Sequence, residues 1–148
     1  MRGATRVILA GLLVLVVGVG VFSVTRGADG SPTTGAEPLD GTRWMLRSWS
    51  ASSLAPTDFT ITAEFAGGQI SGTSAVNRYF GAYTAGRDGQ FSVGELGSTL
   101  MAGPEPAMQA ETTYTTLLRA ARAYRVEGTT LVLLDAGGSE QLVYDAAA

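Results

Sequence analysis

The sequence predicts an α+β fold: a compact barrel-like antiparallel sheet of about seven or eight strands with one helix packed on it, after an N-terminal transmembrane or signal helix. Three observations predict it. Short apolar/polar alternations recur between glycine-rich turns, which is the period of half-buried antiparallel strands. One segment late in the chain repeats its apolar residues at steps of three and four, the period of a helix. One long uncharged apolar run stands close to the N-terminus.

That run comes first. Residues 7–24 hold only Val, Leu, Ile, Ala, Gly, Phe and Ser23. As a helix they would span about 27 Å at ~1.5 Å per residue, close to the ~30 Å hydrocarbon core of a bilayer. Arg2 and Arg6 precede the run, and positive charge stays cytoplasmic, so the rest of the chain is expected outside the cytoplasm. A cleaved signal peptide is the rival reading, which would make the protein secreted. The run is longer than a usual signal h-region, and its small-residue cleavage motifs are poor. Residues 1–25 are therefore read as membrane anchor or signal sequence, with the membrane engaged through residues 7–24 and a single-pass topology if uncleaved. Lipidation would need a cysteine, and the chain has none. Residues 26–38 are small, polar, Gly- and Pro-containing, a flexible linker by composition. Residues 39–148 are then one domain.

Within the domain, the first strand covers residues 43–49, with Trp44, Leu46 and Ser48 on one face and the first two entering the core. Residues 59–65 alternate most cleanly, Phe59, Ile61, Ala63 and Phe65 facing in. Gly67-Gly68 supplies the positive φ that a tight hairpin needs, and a strand returns through Ile70, Gly72 and Ser74. Residues 79–83 form the next strand, turned by Asp88-Gly89 into residues 90–93. Residues 124–127, 130–134 and 141–144 close the sheet. The helix opens at Pro104-Glu105-Pro106, since proline is tolerated in the first turn. Its stripe of Ala110, Tyr114, Leu117, Ala121 and Tyr124 faces the sheet. Arg119, Arg122 and Arg125 are read as charge compensation near the negative end of the helix dipole.

Composition removes most chemistry. The 148 residues contain no cysteine and no histidine, and all ten basic residues are arginine. Disulfides, thiolate and imidazole catalysis, lysine Schiff bases and nearly every zinc site are excluded. The net charge is -3, and beyond the apolar run eight arginines face thirteen acids, an acidic balance unsuited to nucleic acid. No two acids present themselves as a facing pair for glycoside hydrolysis. No G-x-S-x-G elbow and no dense Asp/Asn calcium loop occurs. No enzymatic activity, cofactor or metal is expected.

The most informative block runs from Gly72 to Glu111: GTSAVNRYFGAYTAG, then LGSTLMAGPEPAMQAE. Together with Gly41-Thr42-x-Trp44-x-Leu46 and the closing Leu131-x-Leu133, it resembles the META domain of the HslJ-like heat-shock family over essentially the whole of residues 39–144. The candidate interaction or structural motif is Asn77, Arg78, Tyr79, Thr99, Met101 and Glu111. Asn77 reads either as a ligand hydrogen-bonder or as a turn residue satisfying neighbouring backbone. Arg78 reads as an anion clamp or as the partner of Glu111, a carboxylate that needs one if it faces the sheet.

The resemblance implies a barrel-like fold and an extracytoplasmic protein of the cell envelope tied to heat or antibiotic stress, without an assigned reaction. Two functions follow: a non-enzymatic interaction or structural module with an envelope protein partner, or a carrier of a small apolar ligand or lipid in a barrel-like pocket. For the second, Trp44, Phe59, Phe65, Phe80, Phe91 and the tyrosines would line a cavity instead of filling a core. Family members usually read G-C-N-R-Y and M-A-C-P where this chain has Val76 and Gly103. The resemblance implies that these positions lie close together, so Val76 is expected to point into the core near the helix start at Gly103.

Overall fold

The computed structural model describes residues 38–148. The anchor or signal segment and the linker, apart from Pro38, lie outside the described residues. No helix among those residues is long and apolar enough to cross a membrane.

The strands are β1 (Thr42–Trp49), β2 (Thr62–Ala66), β3 (Gln69–Thr73), β4 (Arg78–Ala85), β5 (Phe91–Val93), β6 (Gly97–Ser98), β7 (Ala123–Glu127), β8 (Thr130–Leu134) and β9 (Glu140–Ala146). A 3-10 turn covers Pro56–Asp58, and the helix α1 is Glu105–Ala120. The antiparallel order is β5-β4-β3-β2-β1-β9-β8-β7, with the two-residue β6 paired to β4 below β5. The sheet curls until its ends meet. Gln90 bridges Ala123, Phe91 N donates to Arg122 O at 3.1 Å, and Tyr124 N donates to Gly89 O at 2.9 Å. The result is the barrel-like sheet with one helix that the alternation and the resemblance predict.

Period-two patterning decides what lies inside. Along β4 every second residue is buried, so Tyr79, Gly81, Tyr83 and Ala85 point inward while Arg78, Phe80, Ala82 and Thr84 point out. Trp44, Leu46, Ala63, Phe65, Ile70, Phe91, Leu131, Leu133, Leu142 and Tyr144 fill the same interior. Phe65 lies edge-on to Tyr83, with ring centroids 4.7 Å apart. The helix adds Ala110, Tyr114, Leu117 and Leu118 and packs against β9 and β5.

Several local expectations change. Ser48 is exposed, because a β-bulge between Leu46 and Ser48 shifts the register with β9 and turns Trp49 toward the core instead. Phe59 ends the 3-10 turn rather than starting a strand; only Ile61 makes an isolated bridge, to Ser74, before β2 begins at Thr62. Phe80 is 54% exposed on the outer face and is no part of the core. The helical stripe stops before Tyr124. Ala121 is extended at φ -64 and ψ 137, and Arg122 N donates to Leu134 O, so the chain leaves the helix straight into the sheet. The one strand beyond the eight expected, β6, is two residues long, too short to carry a periodic signal.

Arg122 Nη1 donates to the carbonyls of Arg119 and Ala121, at 2.8 and 2.7 Å, at the C-terminal end of α1. Arg125 belongs to β7 and pairs with Glu127 and Glu140 on the surface.

Candidate functional site

The loop between β3 and β4 folds back sharply. Ser74 N donates to Asn77 O at 2.8 Å, and Ala75 N donates to Thr60 O at 3.0 Å. Ala75 takes φ 82, the only non-glycine residue with positive φ among those described. This turn places Asn77, 2% exposed, between three chain segments.

All the hydrogen-bonding capacity of the Asn77 side chain is used. Its amide nitrogen donates to Met101 O at 3.1 Å and to Glu111 Oε1 at 2.8 Å. Its Oδ1 accepts from Met101 N at 2.6 Å and from Thr99 Oγ1 at 2.8 Å. The orientation of the amide is unambiguous, since a carboxylate only accepts and a backbone N–H only donates. Asn77 N adds a bond to Glu111 Oε2 at 2.7 Å. Ser74 Oγ lies 2.9 Å from the same oxygen and 3.0 Å from Asn77 O, one proton facing two acceptors. Thr99 Oγ1 in turn accepts from Arg78 N at 3.1 Å, and Thr99 N donates to Arg78 O at 3.0 Å.

Glu111 sits where two forces oppose. Burial pushes its carboxyl pKa up, but hydrogen bonds from the Asn77 amide, the Asn77 and Val76 backbone and the Ser74 hydroxyl outweigh it. The net pKa is lowered, so the carboxylate stays charged.

The proposed Arg78–Glu111 pair does not form. Arg78 points outward by strand alternation and lines an open cleft with Arg43, Thr62, Glu64 and Ser71. Neutral donors take its place at Glu111. Asn77, Thr99, Met101 and Glu111 therefore meet in one cluster; Arg78 joins through its backbone alone, and Tyr79 faces the barrel interior.

Tyr79 belongs to a second polar arrangement. Tyr79 Oη donates to Thr62 O at 2.7 Å, Tyr79 and Tyr114 Oη are 2.8 Å apart, and Tyr114 and Tyr144 Oη are 3.0 Å apart. Each hydroxyl has one proton, and the Thr62 carbonyl can only accept. The chain therefore runs one way: Tyr144 donates to Tyr114, Tyr114 to Tyr79, Tyr79 to Thr62. It joins β9, α1, β4 and β2 through the core. Burial raises all three pKa values well above the ordinary 10.0, reinforced by the charge of Tyr114 at Tyr79, of Tyr144 at Tyr114 and of Tyr79 at Tyr144.

Sequence reasoning missed Ser74, Tyr114 as a polar participant and Tyr144. Ser74 has a local signal, a hydroxyl three residues before an Asn in a glycine-flanked turn. The tyrosine chain has none, because apolar patterning treats tyrosine as an aromatic wall.

Val76 and Gly103 meet as the resemblance implies. A Cβ built on Gly103 would stand 3.6 Å from the Val76 Cβ, well inside the reach of a disulfide. Val76 is half-buried, however, because it caps the loop beside Gly103 instead of entering the core. No cluster of three or more acids among the described residues is arranged to hold a metal.

The META-domain family model matches residues 37–148. The chain belongs to the META-domain family. Three solved structures share the fold. One is a protein from Burkholderia xenovorans determined by NMR, 26% identical, at TM-score 0.63 over 78% of this chain and 88% of that one. Another NMR structure is 20% identical, at TM-score 0.56 over 74% and 92%. A DUF4847 family protein from Bacteroides vulgatus is 13% identical, at TM-score 0.54 over 74% and 94%. No curated protein matches the chain. In this META domain the polar residues of the signature hold a loop, a strand and a helix together.

Proposed function

We propose that this chain is a membrane-anchored extracytoplasmic META-domain protein. Its domain serves as a non-enzymatic interaction or structural module in the cell envelope under heat or antibiotic stress. One observation carries the non-enzymatic part: the bonds of Asn77, Thr99 and Glu111 are spent on one another and on backbone. A general acid, base or nucleophile needs an uncommitted atom facing a substrate. The packed aromatic interior supports a structural module over a carrier of apolar ligand, since Phe65, Tyr79, Phe91, Tyr114 and Tyr144 occupy the space a ligand would need. The anchor rests on residues 7–24, and the stress link on the resemblance to the HslJ-like members.

The test is deletion of the gene in its host, complemented with the full chain. Survival is measured after heat shock and under cell-wall antibiotics. Lower survival, restored by the full chain but not by a chain lacking residues 1–25, is expected. Unchanged survival sinks the stress module. Membrane fractionation with the mass of the mature N-terminus decides between anchor and cleaved signal.

A further inference from the structure

Large apolar side chains held in water are costly, and a rigid group of them marks an interaction site. Leu100 is 93% exposed and Met101 58%, and Phe80 stands on the outer face of β4, paired with Gly97 two residues before Thr99. Of five exposed large apolar side chains among the described residues, these three fall on one stretch of β4, β6 and the loop into α1. The loop is not loose. Asn77 grips Met101 by both its N–H and its carbonyl, and on the other side of Leu100 the Thr99 hydroxyl donates to Asn77 Oδ1. A partner that binds it has little ordering entropy to overcome.

We infer that Leu100, Met101 and Phe80, with Arg78 beside them, form a docking knob for the apolar pocket of another folded protein, a pocket with a carboxylate on its rim. The inference deepens the interaction-module reading and rests on it. Two observations select this occupant. Arg78, like Arg87, Arg119 and Arg122, has no acidic partner among the described residues, and of these four it is the one on the outer face of β4 beside Phe80. An unpaired arginine among exposed aromatic and Met side chains is the composition of a protein hot spot. The knob also lies away from the point where the preceding chain attaches. Gly41 N donates to Phe65 O, and Asp40 accepts from Gly67 N, so the first described residues sit at the β2–β3 turn. The knob is bound to Asn77, beside the Ile61–Ser74 bridge at the other end of that hairpin, about 17 Å along the strands at ~3.3 Å per residue. A surface meant for the bilayer that anchors the chain would be better placed near the attachment, and an acidic domain is repelled by anionic lipid.

The test uses the full chain in its host membrane, with the photo-crosslinker benzoylphenylalanine at position 100 or 101 and, as control, at position 126 near the β7–β8 turn. The expected result is an adduct with one other protein from positions 100 and 101 and none from position 126. That protein, identified and purified, should bind the full chain at least tenfold more weakly after Leu100→Asp or Arg78→Glu, and within twofold after Val126→Asp. Unchanged thermal melting of each variant shows that the fold is intact. A self-adduct gives the face to a second copy and overturns the inference. So does binding to phosphatidylglycerol vesicles that Leu100→Asp abolishes. Protein adducts from position 126 alone move the interface and spare the module reading; no adduct at any surface position, scanned around the barrel, removes both.

Discussion

Asn77 and Glu111 are joined twice, backbone N to Oε2 at 2.7 Å and side-chain amide to Oε1 at 2.8 Å, so that one carboxylate on α1 closes the loop that opens β4. The pair ties residues 34 positions apart and, through Met101, fixes the entry to the helix. Asn77→Asp is nearly isosteric but replaces a donor by an oxygen facing Glu111. Two acceptors then face each other, so the change is expected to cost about 2–4 kcal/mol of stability, more than a lost neutral hydrogen bond. Urea melts of the domain measure it. A loss below about 0.5 kcal/mol contradicts the central role given to this residue.

The pH dependence follows from the direction of the Glu111 shift. Its folded pKa lies below the ordinary value of 4.5, so the unfolded state takes up the proton first as pH falls. The stability it supplies is complete above that value and is lost as pH falls through the folded pKa. Glu111→Gln should flatten the acid limb of stability against pH while lowering the plateau near neutrality. If wild type and Glu111→Gln fall in parallel between neutrality and the acid transition, another carboxylate controls it.

The direction of the tyrosine chain makes its members unequal. Removing the Tyr79 hydroxyl leaves both the Thr62 carbonyl and the Tyr114 proton without partners in a buried site. Removing that of Tyr144 takes a donor from Tyr114 but strands no proton. Tyr79→Phe should cost about 1–3 kcal/mol, and Tyr144→Phe under about 1 kcal/mol. Equal losses in thermal melts would mean the chain has no fixed direction. Raised tyrosine pKa values carry the opposite sign from Glu111. Their contribution is complete below the ordinary 10.0 and is lost as pH rises from there through the folded values.

Gly72 faces the interior at a point where a Cβ would stand 2.2 Å from the Thr62 carbonyl oxygen and 2.8 Å from its carbon. That carbonyl is the terminus of the tyrosine chain, while Thr73 N uses Thr62 Oγ1 as its acceptor at 3.1 Å. Backbone cannot yield as a flexible side chain does. Gly72→Ala should therefore destabilise the domain by about 1–3 kcal/mol and displace Thr62 from Tyr79. A change within 0.5 kcal/mol of wild type would show that the two strands separate freely here.

The architecture was legible because it rests on repetition. Alternation along residues 59–65 and 79–83 marks inward faces whatever their partners are, and the step of three and four from Ala110 to Leu117 marks one helix. The cluster was legible only as a set of names. Asn77, Thr99, Met101 and Glu111 stand in resembling motifs, but their bonds cross three segments, and sequence spacing holds no distance across a turn. Shared membership of the resembling motifs suggested Arg78 for Glu111; strand alternation, equally readable, sends Arg78 to the outer face. Ser48 failed for a related reason, since one bulge reverses every assignment beyond it.

Val76 and Gly103 bring the missing cysteines into a measurement. The 3.6 Å between the Val76 Cβ and a Cβ built on Gly103 falls in the range of disulfides. The two positions are also coupled sterically. A Cβ on Gly103 alone meets Val76 Cγ2 at 2.8 Å, so Gly103→Cys by itself should destabilise the domain. Val76→Cys removes one of the two γ branches and makes room. The double variant, oxidised, closes a loop of roughly 28 residues, for which chain entropy gives about 3–4 kcal/mol of stabilisation. The oxidised double variant should melt above wild type and fall below it on reduction, because the reduced form keeps the crowding without the bond. Equal melting of oxidised and reduced forms would show that the two sulfurs do not reach each other, and the close approach of the two positions would then be wrong.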